Sequence, residues 1–372
     1  MRIGVNTRLL LAGKLEGLGR YAHEVLSRLV QIYPQHEFYF FFDRKYDPQF
    51  IYAPNVTPVV VYPSARHPVL YYIWFEWALP YYLKKLNIDL FFSPEGYLCL
   101  NSQVSQIHVV HDLAFEHYPQ DISYLEGLFY RFFYPKYLQK AQKTVAISEF
   151  TRQDILNYYS ADPQKIIPIW NGVSENFHPI DEAEQLKTRQ KYTAGYPYFL
   201  YVGSIHPRKN LSNLIRAFNI FKKNTLTPHK LVIVGRKAWD YQKVLMDSNE
   251  CSYRDDILFT GYIADEDLVK LYASCEAVCY VSYFEGFGLP AVEGFRSGVP
   301  VIASNTTSLP EVCGDAAILV DPHSPQDIAN GMAQLIQNPE YRKNLIERGN
   351  DRVKLFSWQN TAESIGKLIF GS

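Results

Sequence analysis

Two carboxylates with an unusual setting, Glu285 and Glu293, lie in the segment VSYFEGFGLPAVEGFRSGVPV that covers residues 281–301. The apolar run at residues 277–281 predicts a buried parallel strand, and Pro290 suits the first position of a helix. Glu285 would then follow the carboxyl end of the strand, and Glu293 would lie in the first turn of the helix. Both side chains are therefore expected at the edge where open α/β sheets bind ligands.

Between the two glutamates, the sequence predicts a backbone site for anions. The N–H groups of Gly286, Phe287, Gly288 and Leu289 lead into a helix N-terminus, which carries partial positive charge and free donors. A carboxylate only accepts hydrogen bonds, so Glu285 beside such a site favours a ligand rich in both phosphates and hydroxyls, as a nucleotide sugar is. The alternative is a solvated loop glutamate and a second glutamate placed for the helix dipole.

The string EGFGLPAVE at residues 285–293 resembles the signature of the retaining glycosyltransferases of family four. The resemblance extends over nearly the whole chain and is most specific over 200–320. It implies the GT-B fold, an α/β architecture with two Rossmann-like domains facing a central cleft and a C-terminal helix that crosses back to the first domain. It also implies that Glu285 contacts hydroxyls of the donor sugar and that Glu293 contacts the ribose.

A basic pair, Arg208 and Lys209, follows the predicted strand at 198–203 and its terminal Gly203. Asn210 is expected to cap the next helix. Two cations before a helix N-terminus oppose the macrodipole unless an anion lies there, and the Arg fork and the Lys point charge both suit phosphate. The pair is similar to the one that holds the donor diphosphate in the family, whereas the alternative is an exposed basic turn.

Two further loops follow predicted strands, at Gly235-Arg236-Lys237 and at 261–263, which includes Ile263. The resemblance implies that Gly235, Arg236 and Ile263 hold the nucleobase, largely through backbone groups.

Gly17 and Gly19 lie in the loop AGKLEGLGRYA, before a helix expected from Arg20. GLGRYA matches the dinucleotide-binding pattern G-x-G-x-x-A, and Asp43 at the end of the next strand would be its ribose-binding acid. However, the pattern needs its first glycine directly after the strand, and ten residues intervene here. A glycine loop that approaches the donor diphosphate is the preferred interpretation, with a plain surface loop as the alternative.

His111 follows the strand predicted at 106–110, again at the ligand edge of a sheet. The resemblance implies that its side chain or carbonyl meets the donor sugar, and the alternative is a structural histidine bonded to Asp112. The acids Asp265–Asp267 are interpreted as a helix cap and first turn and not as a metal-binding D-x-D. We therefore expect neither a metal nor a cofactor, and the nucleotide sugar acts as co-substrate.

Bulk properties set the remaining expectations. The 372 residues predict an acceptor-side domain at 1–175, a nucleotide-sugar domain at 176–355 and a crossover helix at 356–372. A net charge of −1 gives no case for nucleic acid, and five scattered cysteines indicate reduced thiols in a cytoplasmic protein. Met1 runs directly into a strand, so no signal peptide is expected. The 29 Tyr and 23 Phe, dense at 71–77 and 129–134, indicate either core packing or a surface that meets a lipid-linked acceptor or a membrane.

Together with the family resemblance, which implies retention of the anomeric configuration, these observations predict a metal-independent hexosyltransferase of polysaccharide or glycan biosynthesis. The expected donor is UDP-glucose or GDP-mannose, with a slight preference for UDP-glucose. The expected acceptor is a saccharide or a lipid-linked saccharide, the latter at the inner face of the membrane. A nicotinamide-dependent oxidoreductase, a non-enzymatic sugar-binding protein and a sugar-nucleotide epimerase are the competing hypotheses.

Overall fold

The computed structural model describes residues 1–13, 15, 17–236 and 241–371, with only the backbone at 68 and 241. Lys14 and Glu16 of the glycine loop, and Lys237 after Arg236, therefore lie outside the described residues. The chain divides into two compact units. The first consists of Met1–Gly172 with Ser357–Ser372, and the second of Val173–Phe356.

The first unit contains a parallel sheet. Within the described residues its strands are β1 (Arg2–Asn6), β2 (Glu37–Phe42), β3 (Val56–Val60), β4 (Leu90–Ser93), β5 (Ser105–Val110), β6 (Lys143–Ala146) and β7 (Ile166–Pro168). They pair in the order β3-β2-β1-β4-β5-β6-β7, and every pair is parallel. The order reverses between β1 and β4, and such a switch point is where open α/β sheets bind ligands.

The helices that connect these strands are α1 (Gly17–Ile32), α2 (Pro68–Ile73), α3 (Leu79–Lys85), α4 (Ala114–His117), α5 (Tyr124–Lys140) and α6 (Glu149–Tyr158). One π-helical turn, Trp74–Ala78, joins α2 to α3. Short 3₁₀ turns lie at Pro48–Phe50 and Pro119–Asp121. Residues 68–85 are thus helical throughout, with the π turn between two α-helical segments.

Aromatic side chains form much of the core of the first unit. Trp74, Phe75, Tyr134 and Tyr137 are buried in one cluster with Phe91 of β4. Strands covered by helices on both faces read as continuous apolar runs, which explains the sequence EFYFFF of β2. Many of the aromatics at 71–77 and 129–134 are therefore core residues, although not all of them are.

The second unit repeats the architecture with a second parallel sheet. Its described strands are β8 (Tyr198–Val202), β9 (Lys230–Val234), β10 (Ile257–Gly261), β11 (Ala277–Tyr280), β12 (Val301–Ser304) and β13 (Ile318–Val320). The order is β10-β9-β8-β11-β12-β13, with all pairs parallel, so the switch point lies between β8 and β11. Its helices are α7 (Glu182–Thr193), α8 (Leu211–Thr225), α9 (Tyr241–Asn249), α10 (Asp265–Ser274), α11 (Leu289–Arg296), α12 (Leu309–Cys313), α13 (Pro325–Gln337) and α14 (Pro339–Arg352). Three 3₁₀ turns lie at Pro207–Lys209, Arg254–Asp256 and Val353–Leu355.

The last helix, α15 (Trp358–Phe370), belongs to the first unit and packs against α1. Its Ser357 cap accepts a hydrogen bond from the Asn360 N–H. Gly366 allows the close approach, since a Cβ there would lie 2.2 Å from the ring of Tyr33. The Phe370 ring lies 4.4 Å from the same tyrosine. The expected return of the C-terminal helix to the first domain is confirmed.

Candidate active site

The cations and carboxylate of the candidate site meet at the switch point of the second sheet. Residues 203–209 follow β8, residues 281–288 follow β11, and these strands are neighbours in the sheet. The Tyr283 N–H donates to the Arg208 carbonyl at 2.9 Å, and Arg208 Nη1 donates to the Phe284 carbonyl at 2.5 Å. The two loops are therefore joined directly, which sequence order alone does not reveal.

Glu285 is buried, with 6% of its surface exposed, so it is not a solvated loop residue. Its Oε1 accepts from Lys209 Nζ at 2.6 Å and from the Tyr280 hydroxyl at 2.8 Å. Lys209 Nζ also donates to the Tyr280 oxygen at 3.0 Å, which closes a three-membered ring of hydrogen bonds. Tyr280, the last residue of β11, is a site residue that the sequence analysis missed; its position at the strand end was the available signal.

Arg208 completes the charge cluster. Its Nη1 lies 3.6 Å from Glu285 Oε2, and the side chains of Arg208 and Lys209 are only 18% and 14% exposed. The alternative of an exposed basic turn is therefore wrong. Burial by itself would raise the pKa of Glu285, but Lys209 and Arg208 outweigh burial and hold it below its usual value. The carboxylate is thus ionised at neutral pH, and two cations with one anion leave a net charge of +1 that can attract an anionic ligand.

The segment at 304–308, which begins at the last residue of β12, supports the loop that carries Glu285. Thr307 Oγ1 accepts from the Glu285 N–H at 3.2 Å. The Ser308 hydroxyl lies 2.9 Å from both the Glu285 and the Phe287 carbonyls, and Ser304 donates to the Ser282 carbonyl at 2.6 Å. These contacts fix the backbone on either side of the carboxylate.

The predicted anion site at residues 286–289 leads into α11, which begins at Leu289 with Pro290 in its first turn. Gly288 has φ +110°, a conformation that favours glycine, and a Cβ there would lie 2.5 Å from Leu309. The Phe287 ring is buried and lies 5.7 Å from that of Phe356, so only the backbone of this residue is available to a ligand. Gly286 is buried and Leu289 is half-buried.

Glu293 lies on α11 but beyond its first turn, so that part of the prediction is wrong. The helix begins at Leu289, which leaves Glu293 one turn further along than a helix-start acid. Its Oε2 accepts from the buried Tyr272 hydroxyl at 2.6 Å, a partner on α10 that the sequence did not indicate. The alternative that Glu293 is placed only for the helix dipole therefore loses support. Glu293 is instead a carboxylate held by a hydrogen bond from Tyr272.

The glycines after β8 and β9 are packed against each other. A Cβ on Gly235 would lie 1.8 Å from the Gly203 carbonyl oxygen, and the Gly203 N–H donates to Val234. Arg236 is exposed, its carbonyl accepts from the Ile205 N–H at 3.1 Å, and Ile263 is half-buried after β10. The loops at the carboxyl ends of these strands therefore present mainly backbone N–H and C=O groups.

The expectation that Asn210 caps α8 is correct in position, whereas the expectation that Asp265 caps α10 is wrong. Asn210 does occupy the cap position of α8, with φ +59°, but its Nδ2 donates to the Val281 and Pro322 carbonyls. Asp265 is the first residue of α10, whose cap is Ala264. The acids of this first turn do favour the helix dipole, and Asp267 pairs with Lys191 at 2.9 Å.

The remaining predicted donor residues lie in the first unit. Gly17 and Gly19 belong to the first turn of α1 and not to a loop. A Cβ on Gly19 would lie 2.6 Å from the Leu9 carbonyl oxygen, so this glycine is required by packing within the unit. Gly17 is exposed at the start of the helix, where its backbone is accessible.

His111 follows β5 directly, as predicted, but its partner is not Asp112. Its Nε2 lies 2.9 Å from the Pro94 carbonyl, which can only accept, so Nε2 carries the proton. Burial lowers the pKa of His111, and the Tyr21 ring contacts it edge-on at 4.7 Å. The imidazole is therefore neutral at neutral pH, with Nδ1 left as an acceptor.

A buried ion pair at the switch point of the first sheet was missed entirely. Arg8 Nε and Nη2 donate to the two oxygens of Glu95 at 2.5 and 2.6 Å, and Asn6 Nδ2 donates to the same carboxylate at 2.5 Å. The Arg8 guanidinium lies 4.8 Å from the ring centroid of Tyr71 and 5.1 Å from that of Tyr97. The pair fixes the turn after β4 that supplies the carbonyl partner of His111.

The nicotinamide hypothesis finds no support in the position of its acid. Asp43 is fully buried and accepts from Arg44 at 2.6 and 2.7 Å, from the Ser64 hydroxyl and from the Ala65 N–H. The carboxylate oxygens are thus engaged within the chain, and Gly17 and Gly19 lie in the first turn of α1 instead of directly following β1.

Comparison with known proteins gives one consistent result. The family description "Glycosyl transferases group 1" matches residues 183–352, and "Glycosyltransferase Family 4" matches residues 15–177. The O-antigen chain mannosyltransferase B of Escherichia coli is 30% identical over 363 residues, which is 93% of each chain. The O-antigen chain mannosyltransferase RfbU of Salmonella typhimurium is 26% identical over 325 residues, covering 85% of this chain and 84% of RfbU.

Solved structures show the same fold at lower identity. WaaG, a glycosyltransferase involved in lipopolysaccharide biosynthesis, superposes over 100% of both chains with a TM-score of 0.78 at 16% identity. Anabaena HepE in complex with UDP and glucose does so with a TM-score of 0.78 at 17% identity. The two parallel-sheet units are thus those of the GT-B fold that the sequence predicts.

Proposed function

The chain belongs to glycosyltransferase family four, the group 1 glycosyltransferases, and on this basis we propose that it transfers a hexose from a nucleoside-diphosphate sugar with retention of anomeric configuration. The observation that carries the proposal is the buried contact of Lys209 and Arg208 with Glu285 at the switch point, at 2.6 and 3.6 Å. It joins the two charge types that such a donor needs: cations for its diphosphate and a carboxylate for its sugar hydroxyls.

In the proposed reaction, the bond between the anomeric carbon and the diphosphate breaks while an acceptor hydroxyl attacks on the same face. The acceptor proton passes to the departing phosphate oxygen, so the protein supplies no nucleophile. Arg208 and Lys209 stabilise the charge that develops on that oxygen, a preorganised effect that often dominates catalysis. Glu285 orients the sugar, and the N–H groups of residues 286–289 face the diphosphate.

Glu293 is assigned to the ribose in this proposal, with Tyr272 holding its carboxylate in place at 2.6 Å. Gly203, Gly235, Arg236 and Ile263 follow strands at the same edge of the sheet, and we assign their backbone groups to the nucleotide. Gly17 and the neutral His111 are assigned to the donor from the first unit.

Mannose, supplied as GDP-mannose, becomes the first candidate donor, and UDP-glucose the second. The support is the full-length relatives, which are named as O-antigen chain mannosyltransferases. No full-length relative named above supports the preference for UDP-glucose. HepE is described with UDP and glucose, but at 17% identity that likeness supports only the fold.

For the acceptor we propose a saccharide or lipid-linked saccharide of O-antigen-type or other glycan biosynthesis. The named activities of the two full-length relatives support this pathway class. An acceptor carried on a lipid would bring the enzyme to the inner face of the membrane.

A donor panel tests the function. The full chain is mixed with GDP-mannose, UDP-glucose, other nucleotide sugars and nicotinamide cofactors, and thermal stabilisation and donor hydrolysis are measured. We expect stabilisation and slow hydrolysis with GDP-mannose. When a saccharide acceptor is added, NMR of the transfer product should show that the α-configuration of the donor is retained. Stabilisation by nicotinamide cofactors alone would favour the oxidoreductase. Sugar binding without turnover would favour a binding protein. Conversion of the donor sugar into its epimer without any acceptor would favour an epimerase.

A further inference from the structure

The first unit exposes a group of large apolar side chains on α2, the π turn, α3 and α5, which we call the aromatic surface. Its members are 40–80% exposed, and they are Val69, Tyr72, Trp77, Tyr81, Tyr124, Leu125, Leu128 and Phe132. These are the aromatics at 71–77 and 129–134, with their neighbours, that the core does not bury.

The aromatic surface is continuous from one helix to the next. The Tyr72 ring lies 6.4 Å from that of Trp77 and 5.9 Å from that of Phe133 on α5. Phe133 in turn lies 5.0 Å from Phe132. A contiguous exposed apolar patch, unlike a scattered set of side chains, marks an interaction site.

Helix α5 shows the same feature along its length. Its inner side contributes Tyr134 and Tyr137 to the core, while Leu125, Leu128 and Phe132 face solvent at spacings of three and four residues. A helix that is apolar all round is normally buried on all sides or lies against lipid. The exposed apolar side of α5 therefore indicates a binding surface.

The segments that carry the aromatic surface are rich in cations, one of which, Arg131, lies 3.9 Å from Glu116 of α4. Residues 66–87 and 124–140 contain six Lys or Arg (Arg66, Lys84, Lys85, Arg131, Lys136 and Lys140) and two acids, in a chain whose net charge is −1. Of the acids, Glu76 is buried and accepts from the Leu100 and Asn101 N–H groups, and Glu126 forms a capping box with Ser123.

The cations are interleaved with the rings. Lys136 Nζ lies 3.2 Å from the Phe132 ring centroid, and Lys85 Nζ lies 5.7 Å from that of Tyr81. Tyr and Trp are enriched at the headgroup level of bilayers, where lysines can reach lipid phosphates.

We propose that the aromatic surface binds the surface of an anionic phospholipid bilayer. A second copy of the chain fits less well, because a two-fold interface would bring Lys85 and Lys136, which lie beside the exposed rings, close to the same cations of the other copy. A protein partner also fits less well, since lysine is depleted from protein interfaces. Binding here is peripheral: within the described residues, no helix is both long and apolar enough to cross a bilayer.

The test is co-sedimentation of the full chain with vesicles of phosphatidylcholine alone or with added phosphatidylglycerol. We expect binding to the anionic vesicles that salt reverses. The double variant Trp77→Ser/Phe132→Ser should bind about tenfold more weakly or worse, since two aromatic side chains would no longer be buried in the interface. Lys84→Gln, Lys85→Gln and Lys136→Gln should each cost about fivefold.

The matched control is Leu186→Ser/Lys187→Gln on α7, where these side chains are 56% and 76% exposed. The control should bind vesicles as the parent does. Thermal unfolding shows whether each variant is folded, and a folded single-lysine variant keeps the test decisive if the aromatic one is not.

Unchanged binding in all folded variants, or no binding to any vesicle, would overturn the proposal. Concentration-dependent self-association that Trp77→Ser abolishes would also overturn it in favour of a second copy. The inference deepens the proposed lipid-linked acceptor, yet its readout is separate: vesicle binding without hexose transfer would refute the reaction alone.

Discussion

Replacing Glu285 with glutamine should strengthen the binding of a free nucleoside diphosphate while nearly abolishing sugar transfer. The carboxylate lies 2.6 Å from Lys209 Nζ and 3.6 Å from Arg208 Nη1. Glutamine keeps the shape of the side chain and an acceptor oxygen but is uncharged. The net charge of the cluster therefore rises from +1 to +2. A diphosphate bound to these cations would no longer face a buried negative charge.

The magnitude follows from the distances. A phosphate oxygen in contact with Lys209 would lie about 5 Å from the carboxylate, where unit charges interact by roughly 3 kcal/mol at an effective dielectric constant of about 20. With screening, we expect about 1–3 kcal/mol, or about 5- to 150-fold, in the Kd of GDP or UDP. Turnover should fall because the sugar loses its charged partner.

The same substitution should destabilise the ligand-free protein. Removing one partner of a buried ion pair costs about 3–5 kcal/mol, with the lower end expected for an isosteric amide. Bound nucleotide should raise the Tm of this variant by more than it raises the Tm of the parent, because the ligand replaces the missing negative charge.

Glu276→Gln provides the matched control. Glu276 precedes β11, at the amino end of the strand, and pairs with Arg189 at 3.1 Å and Arg342 at 3.5 Å. It should lower Tm without changing nucleotide affinity. Calorimetry with GDP and UDP decides the matter: if Glu285→Gln weakens nucleotide binding while Tm stays at the parent value, the charge argument is refuted.

Three further predictions concern other groups. Glu293→Ala should weaken nucleotide binding by about 1–3 kcal/mol in calorimetry with kcat largely retained; lost kcat with intact affinity would reverse the assignments of the two glutamates. Arg208→Ala should lower turnover about 10- to 150-fold, whereas EDTA should leave the turnover of the parent protein unchanged. If EDTA abolishes the turnover of the parent and magnesium or manganese restores it, the two-cation mechanism is contradicted. Burial lowers the pKa of His108 to about 4, so below pH 6.5 the unfolded state binds more protons than the folded state, and the free energy of unfolding should fall by up to about 3 kcal/mol between pH 6.5 and 4. Urea unfolding of His108→Gln should not show this part of the decline. An equal decline in the parent and the variant would contradict the prediction.

The fold was largely predictable because parallel sheets leave a clear sequence signal. Buried runs such as those of β2 and β11 alternate with helical patterns, and this alternation indicates two Rossmann-like halves. The missed strands, β7 and β13, are only three residues long and carry little pattern. The π turn at Trp74–Ala78 was missed because it continues the helical spacing closely.

The site was predictable where chemistry follows short motifs and unpredictable where it depends on contacts between distant segments. Arg208, Lys209 and Glu285 stand out by residue type and position at strand ends. Tyr272 and the Arg8–Glu95 pair do not, because their partners lie 21 and 87 residues away along the chain. Asn210 occupies its cap position without a side-chain cap bond for a related reason: its amide is used by tertiary partners that the local sequence does not show.

The packing of Gly203 against Gly235 has a consequence for the evolution of this enzyme. A Cβ on Gly235 would lie 1.8 Å from a backbone oxygen, and backbone cannot move aside as a flexible side chain can. A saturation-mutagenesis survey should therefore find Gly235 among its least tolerant positions, even for substitution by alanine. That intolerance would result from the close packing of the two loops that follow β8 and β9, and it would carry no information about nucleotide preference. Divergence toward new donors would have to proceed through neighbouring positions such as the exposed Arg236, while the glycine pair stays fixed.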